Sequence, residues 1–132
     1  MKKILLGLCV ILFLGPIASD VNAESLTCKF QNNSSDLVML EFNSKSRPVA
    51  WPGNRKVFYL PADGQTHSYP ISCIAGEKIC YGAWLGSQPN YYWGAGRGAR
   101  QGCSDCCYRC SGGESQTYNL NVGGCVAGVN CE

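Results

Sequence analysis

The chain is predicted to be all-β, a small disulfide-pinned β-sandwich or open barrel of about six to seven short strands. Three observations predict it. Runs rich in aromatic and β-branched residues alternate apolar and polar positions, the period of a half-buried strand. Clusters of Gly, Pro, Asn and Ser break those runs at short intervals. Cysteine is frequent, with 10 in 132 residues, as in domains that supplement a modest core with covalent links.

The elements follow in order. Leu26 to Gln31 is a first strand, stopped by the turn chemistry of Asn32-Asn33-Ser34-Ser35-Asp36. Leu37 to Asn43 is the second, with Val38, Leu40 and Phe42 on one face and Met39 and Glu41 on the other. Trp51-Pro52-Gly53-Asn54 suits a type II turn, since proline presets φ and glycine takes the positive one. Lys56 to Leu60 is a third strand, ended by Pro61-Ala62-Asp63-Gly64. His67 to Ile74 and Lys78 to Leu85 follow, joined as a hairpin across Ala75-Gly76-Glu77. Tyr91 to Trp93 is a short sixth strand, and Gln116 to Val122 a seventh with Tyr118, Leu120 and Val122 facing inward. Near 103–110 the chain is short helical or irregular and rich in cysteine. No internal repeat or linker divides it.

The first residues carry an address. Lys2 and Lys3 precede an apolar run from Ile4 to Leu14, Gly15-Pro16 breaks it, and Val21-Asn22-Ala23 presents small residues for cleavage. This is the order of a secretory signal peptide, so residues 1–23 are expected to be removed, leaving 24–132 as a single cysteine-rich β domain that is secreted or periplasmic. The run is shorter than the roughly 20 residues of a membrane-spanning helix, so no integral membrane span is expected after cleavage. A formal net charge of +2 lacks the basic excess of a nucleic-acid binder.

Cys9 leaves with the leader. The other nine cysteines, Cys28, Cys73, Cys80, Cys103, Cys106, Cys107, Cys110, Cys125 and Cys131, are disulfide candidates in an oxidising compartment. Nine is odd, so one thiol stays free or is used otherwise. The sharpest motif is Cys103-Ser104-Asp105-Cys106-Cys107-Tyr108-Arg109-Cys110, two C-x-x-C units in direct succession. On a helix its sulfurs would form one stripe ~10 Å long, too long for four thiolates around one ion with bonds of ~2.3 Å. Disulfides riveting the segment to the sheets are the preferred reading. The alternatives are a zinc or copper site in a non-helical loop, using Cys103, Cys106, Cys107 and Cys110, and a redox C-x-x-C, which lacks its usual strand–helix setting. Cys73 and Cys80 would face each other and bridge if the hairpin loop has four residues. With a three-residue loop, preferred here because glycine is common in such loops, Cys73 faces Ile79 and each cysteine seeks a partner in the cluster.

Tyr81, Trp84, Tyr91, Tyr92 and Trp93, with Gln88, Asn90, Arg97 and Arg100 nearby, form a second feature. Rigid rings beside guanidinium groups can hold a sugar or a partner's side chain. The same rings can fill a small core. Tyr81 is assigned to the core, Trp93 is left open between core and surface, and the three consecutive aromatics cannot all face inward on one strand. Gly94-Ala95-Gly96-Arg97-Gly98 lacks the strand–loop–helix context of a phosphate loop and reads as a mobile loop. His67, the one histidine, reads as a solvent-facing strand residue, and no nucleophile–base set accompanies it. The triplets in Asn32-Asn33-Ser34-Ser35 match a glycosylation acceptor and are read as a turn.

Cys73-Ile74-Ala75-Gly76-Glu77-Lys78-Ile79-Cys80-Tyr81-Gly82-Ala83-Trp84, then Tyr92-Trp93-Gly94, then the Cys103 to Cys110 cluster resemble a group of small exported cysteine-rich bacterial proteins of unknown function. The resemblance covers roughly Phe30 to Glu114 and implies a location in or beyond the bacterial envelope, with no activity to carry over. The functional expectation is a non-enzymatic, exported binding module without a cofactor. It would present Trp84, Tyr91, Tyr92, Trp93, Arg97 and Arg100 to an envelope glycan or protein. The alternative is a metal- or thiol-handling protein that uses the cysteine cluster.

Overall fold

The computed structural model describes residues 23–121 and 124–126. The leader through Asn22, Val122 and Cys131 lie outside them, so the cleavage, the inward-facing Val122 and the pairing of Cys131 are not addressed by the fold. Among the described residues ten strands form: β1 (Ala23–Asn32), β2 (Val38–Ser44), β3 (Ala50–Trp51), β4 (Phe58–Leu60), β5 (Thr66–Ile74), β6 (Lys78–Leu85), β7 (Tyr91–Gly94), β8 (Cys107–Arg109), β9 (Glu114–Leu120) and β10 (Cys125–Val126). They make an all-β fold of two sheets with no closed barrel. The smaller sheet has the order β5-β1-β9, with β1 antiparallel to β5 and parallel to β9. The larger runs β10-β7-β6-β2-β3, with β4 also beside β2 and β8 beside β6.

Alternation places the core between the sheets. Leu26, Cys28 and Phe30 of β1 and Ile71 and Cys73 of β5 meet Val38, Leu40 and Phe42 of β2, Ile79 and Ala83 of β6, Leu60 of β4 and Leu120 of β9. Phe30 is the hub, stacked on Tyr118 at 5.1 Å and edge-on to Tyr81 at 5.0 Å between centroids. Every second residue of β2 fills this core, as its pattern predicts. Three strands escaped that pattern. β3, β8 and β10 have two or three residues each, too few to show a period. The cysteine-rich segment contains no helix: Ser104 to Cys106 is bends, and Cys107–Arg109 is a strand.

Two turns differ from simple expectation. Gly53 has φ +86 as a type II turn needs, but a second turn follows at once. Asn54 and Arg55 have φ of 54 and 60, and Lys56 N donates to Gly53 O at 3.0 Å, the backbone of a primed hairpin turn. Asn32 is fully buried: its Nδ2 donates to Asp36 O at 2.8 Å and Leu60 O at 3.0 Å, and its Oδ1 accepts from Ser34 N at 2.9 Å. The turn reading is the structural one, with Asn32 as its pin.

The hairpin expected between β5 and β6 does not form. β5 pairs with β1 and β6 with β2, so Ala75-Gly76-Glu77 carries the chain from one sheet to the other. The three-residue link, with Glu77 N donating to Ile74 O at 2.9 Å, is short enough for a hairpin, so the pairing of each strand with β1 or β2 is what separates them. Glu77 holds this corner. Its carboxylate is almost fully buried and accepts from Arg47 Nε at 2.5 Å and Nη2 at 2.9 Å, Ser44 Oγ at 2.6 Å and Ile74 N at 3.1 Å. Arg47 in turn lies over the Trp51 ring. Residues from β2, the following loop and β5 thus converge on one charge.

The Arg47 guanidinium, outweighing the cost of burial, together with Ser44 and the Ile74 amide, lowers the Glu77 carboxyl from 4.5 to about 2. A carboxyl with a folded-state value below its unfolded one stabilises fully above the unfolded value and loses that contribution as pH falls towards the folded value. Stability should therefore drop between about pH 4.5 and pH 2 more steeply in the wild type than in Glu77→Gln. At pH 7 the variant should be less stable by about 3 kcal/mol, the lower end for a broken buried pair, since Arg47 keeps part of its surface in water. Urea melts across that range measure both. Equal stability at pH 7, or identical slopes, would remove Glu77 as the holder of the corner.

Candidate functional site

β6 is buried on both faces, and the site grows from its second face. Ile79, Tyr81 and Ala83 point into the core, while Cys80, Gly82 and Trp84 point to the outer side of the large sheet. β2 covers one edge of β6. β7 and β8 share the other end to end, β7 opposite residues 82–84 and β8 opposite 78–80. The chain between them, 95–106, must loop out, and it folds over the outer face. Ala95 N donates to Tyr81 O, and Tyr81 N to Cys106 O, both at 2.9 Å. The fold-over needs glycine beneath it: a Cβ at Gly82 would run into the Gly96 carbonyl. Gly94 supplies the departure with φ +61, and a Cβ there would strike Tyr81.

On one side of Gly82 the loop forms a groove of about 500 Å³. Its floor is Trp84, Met39 and Glu41, and its walls include Arg55, Arg97 and Arg100. Strand register explains the floor: Trp84 is opposite Tyr92 on β7 and Met39 on β2, and Met39 is opposite Tyr59 on β4. These four side chains share the outer face in one row. Arg55 enters from the primed turn. Arg97 and Arg100 come from the 3₁₀ turn Arg97–Ala99 and its end, which is tied down by Gly98 N donating to Glu41 Oε1 at 2.6 Å. Among the described residues none of the three guanidiniums has a carboxylate within ion-pairing distance. Three unneutralised cations beside one occupied carboxylate give the groove a positive field.

The structure brings together only part of the expected aromatic surface. Arg97 and Arg100 are exposed, but Trp84, Tyr92 and Trp93 are buried, with 5%, 8% and 8% of their surface accessible, and Tyr91 is half-buried. β7 divides its aromatics as alternation requires. Trp93 packs into the core, edge-on to Tyr91 at 5.3 Å, and its Nε1 donates to Asn121 O at 3.0 Å. Tyr92 lies on the outer face beneath Gly96. Tyr81 is in the core as expected. Met39, Glu41, Arg55 and the exposed Tyr59 were missing from the sequence-based site. Met39, Glu41 and Tyr59 share outward alternation on β2 and β4, which identifies a face only once the pairing of those strands is known, and Arg55 comes from the turn before β4.

The cysteines divide into an inter-sheet staple and a cluster. Cys73–Cys110 links β5 to the end of β8, with Cα atoms 6.1 Å apart. Cys80–Cys107 joins opposed residues of β6 and β8, and Cys103–Cys106 closes a short loop. Cys73 and Cys80 each pair with a cluster cysteine, as expected, although the supposed hairpin is absent. Cys125 is also disulfide-bonded. Cys28 is the free thiol among the described residues, and burial pushes it up to about 12, which leaves it un-ionised and inert at neutral pH. Of the contiguous set, Cys106 and Cys107 are grouped with Cys80, while Cys110 is bonded to Cys73. His67 sits on β5 with its Nε2 2.9 Å from Asp63 Oδ2. Among the described residues no helix is long and apolar enough to cross a membrane.

A scan of protein-family models and searches of curated proteins and of solved structures give no match. Functional inference therefore rests on the geometry above.

Trp93→Ala separates core from surface. An exposed ring could be removed with little loss, whereas a buried tryptophan costs ~3–5 kcal/mol. The structure leads to the larger loss in chemical denaturation; a change below 1 kcal/mol would return Trp93 to the surface.

Proposed function

We propose that this chain is an exported, non-enzymatic binding module that holds an acidic glycan of the cell envelope in the groove between Arg55, Arg97, Arg100 and Trp84. The observation that carries this reading is the convergence on one partly apolar groove of three guanidiniums that have no carboxylate partner among the described residues. Guanidinium groups bind carboxylate or phosphate oxygens in pairs, and the exposed Tyr59 beside Met39 offers a ring for a sugar face. Export is supported by the charged start, apolar run and small-residue site of residues 1–23 and by the disulfide framework. The open, shallow groove suits an extended polymer better than an enclosed small molecule.

Calorimetry with a uronic-acid oligosaccharide and a neutral oligosaccharide of equal length tests the reading. The acidic one should bind, more weakly as salt rises, and the neutral one should not. Arg97→Ala/Arg100→Ala should weaken binding at least tenfold, since a charge-assisted hydrogen bond contributes about 1.5–3 kcal/mol. Its melting temperature should stay near wild type, because both side chains are exposed. Equal binding of the neutral sugar, or an unaffected double variant, would refute the assignment.

A further inference from the structure

On the other side of Gly82 lies a cluster of sulfur that the binding reading does not use. Cys80, on the outer face of β6, meets the excursion at Cys106 and Cys107, and the three Sγ atoms lie within 4.8 Å of one another. Cys106 Sγ is 3.7 Å from Cys107 Sγ although the two belong to different disulfides. Cys103 lies outside that close trio but is bonded to one of its members, Cys106, and so is the nearest candidate for a fourth ligand. Two sulfurs of a tetrahedral zinc site with ~2.3 Å bonds are roughly 3.8 Å apart. The Cys106–Cys107 separation of 3.7 Å already matches that spacing, and opening the two disulfides would let the bonded sulfurs move apart to it.

The surroundings fit a closed soft-metal site. Cys80 and Cys106 are buried against Ala95, with Tyr81 alongside. Cys103, at the outer end, opens on a cleft of about 540 Å³ beside Ser104 and Asp105, a route for an ion and for a reductant. Tyr81 N and O are bonded to Cys106 O and Ala95 N, so backbone bonds hold the excursion to β6 independently of the disulfides. Reduction therefore leaves the four sulfurs tethered near one another.

We propose that Cys80, Cys103, Cys106 and Cys107 form a redox-gated zinc site, closed as two disulfides and able to take one ion when reduced. Two equivalents of a dithiol reductant break the Cys80–Cys107 and Cys103–Cys106 bonds. Each equivalent delivers two electrons and two protons and leaves as its own disulfide. The four thiols then release four protons as their thiolates coordinate one zinc ion. The set differs from the contiguous motif, because β6 supplies Cys80 while Cys110 belongs to the inter-sheet staple.

The full chain, reduced anaerobically with a dithiol and freed of it, should bind one zinc ion per chain, while the oxidised chain binds none. X-ray absorption at the zinc edge should count four sulfurs in a single shell. Cys80→Ser should lose one sulfur from that shell and weaken affinity at least tenfold, whereas Cys110→Ser should keep all four. The ligand count reads the site even if a variant is less stable. Loss of a sulfur in Cys110→Ser but not in Cys80→Ser would assign the ion to the contiguous motif. Four sulfurs in both variants would mean that an unfolded chain is recruiting any available thiols. Either result, or the absence of stoichiometric zinc, overturns the proposal.

Discussion

Everything in this fold hangs on the corner at Ala75-Gly76-Glu77, and the corner hangs on one buried carboxylate. A three-residue link cannot hold two sheets in register by itself. Glu77 does so by accepting four hydrogen bonds, from Arg47, Ser44 and Ile74. An uncompensated charge there would be costly, whereas this one is satisfied on every side. The same corner receives the end of β8: Gly76 N donates to Cys110 O at 2.7 Å, and Cys110 N to Glu77 O at 2.9 Å. Those bonds place Cys110 beside Cys73. The resulting disulfide closes a separation of 37 residues, for which chain entropy gives about 4 kcal/mol. Electrostatics sets the geometry, and the covalent link secures it.

With β8 fixed to one end of β6 and β7 to the other, residues 95–106 have no course except over the outer face. Three alternate residues of β6 then meet different fates under one loop. Cys80 joins a sulfur cluster, Gly82 gives way to the loop backbone, and Trp84 becomes the floor of a cationic groove. Gly82 is the divide between the two features. They lie back to back on one strand, supported by the same Tyr81 backbone bonds.

Much of this architecture was legible in the sequence. The alternation of Val38, Leu40 and Phe42 and the turn-forming residues between runs located the longer strands, because a half-buried strand of six or more residues displays its period. The partners of Cys73 and Cys80 were correctly sought in the cluster, although by way of a hairpin that does not exist. Local sequence reports that a turn occurs at Ala75–Glu77. It does not report which sheet each flanking strand joins, since that depends on β1 and β2, roughly 40 residues earlier. The site was half legible for the same reason. Arg97 and Arg100 announce themselves as cations in a glycine-rich loop. Met39 and Arg55 reach the groove, and Tyr59 comes to lie beside Met39, only through the β4–β2–β6 register. Trp93 and Tyr92 look alike in sequence, and the pleat sends one to the core and the other to the outer face.

The disulfide pairing tests the account at its centre, because it records which segments the corner brings together. Peptide mapping of the oxidised protein under non-reducing conditions should recover Cys73 joined to Cys110, Cys80 to Cys107 and Cys103 to Cys106, with Cys28 as a free thiol. Cys73 joined to Cys80 would mean that β5 and β6 form a hairpin in one sheet, and the corner, the staple and the loop over the outer face would fall together.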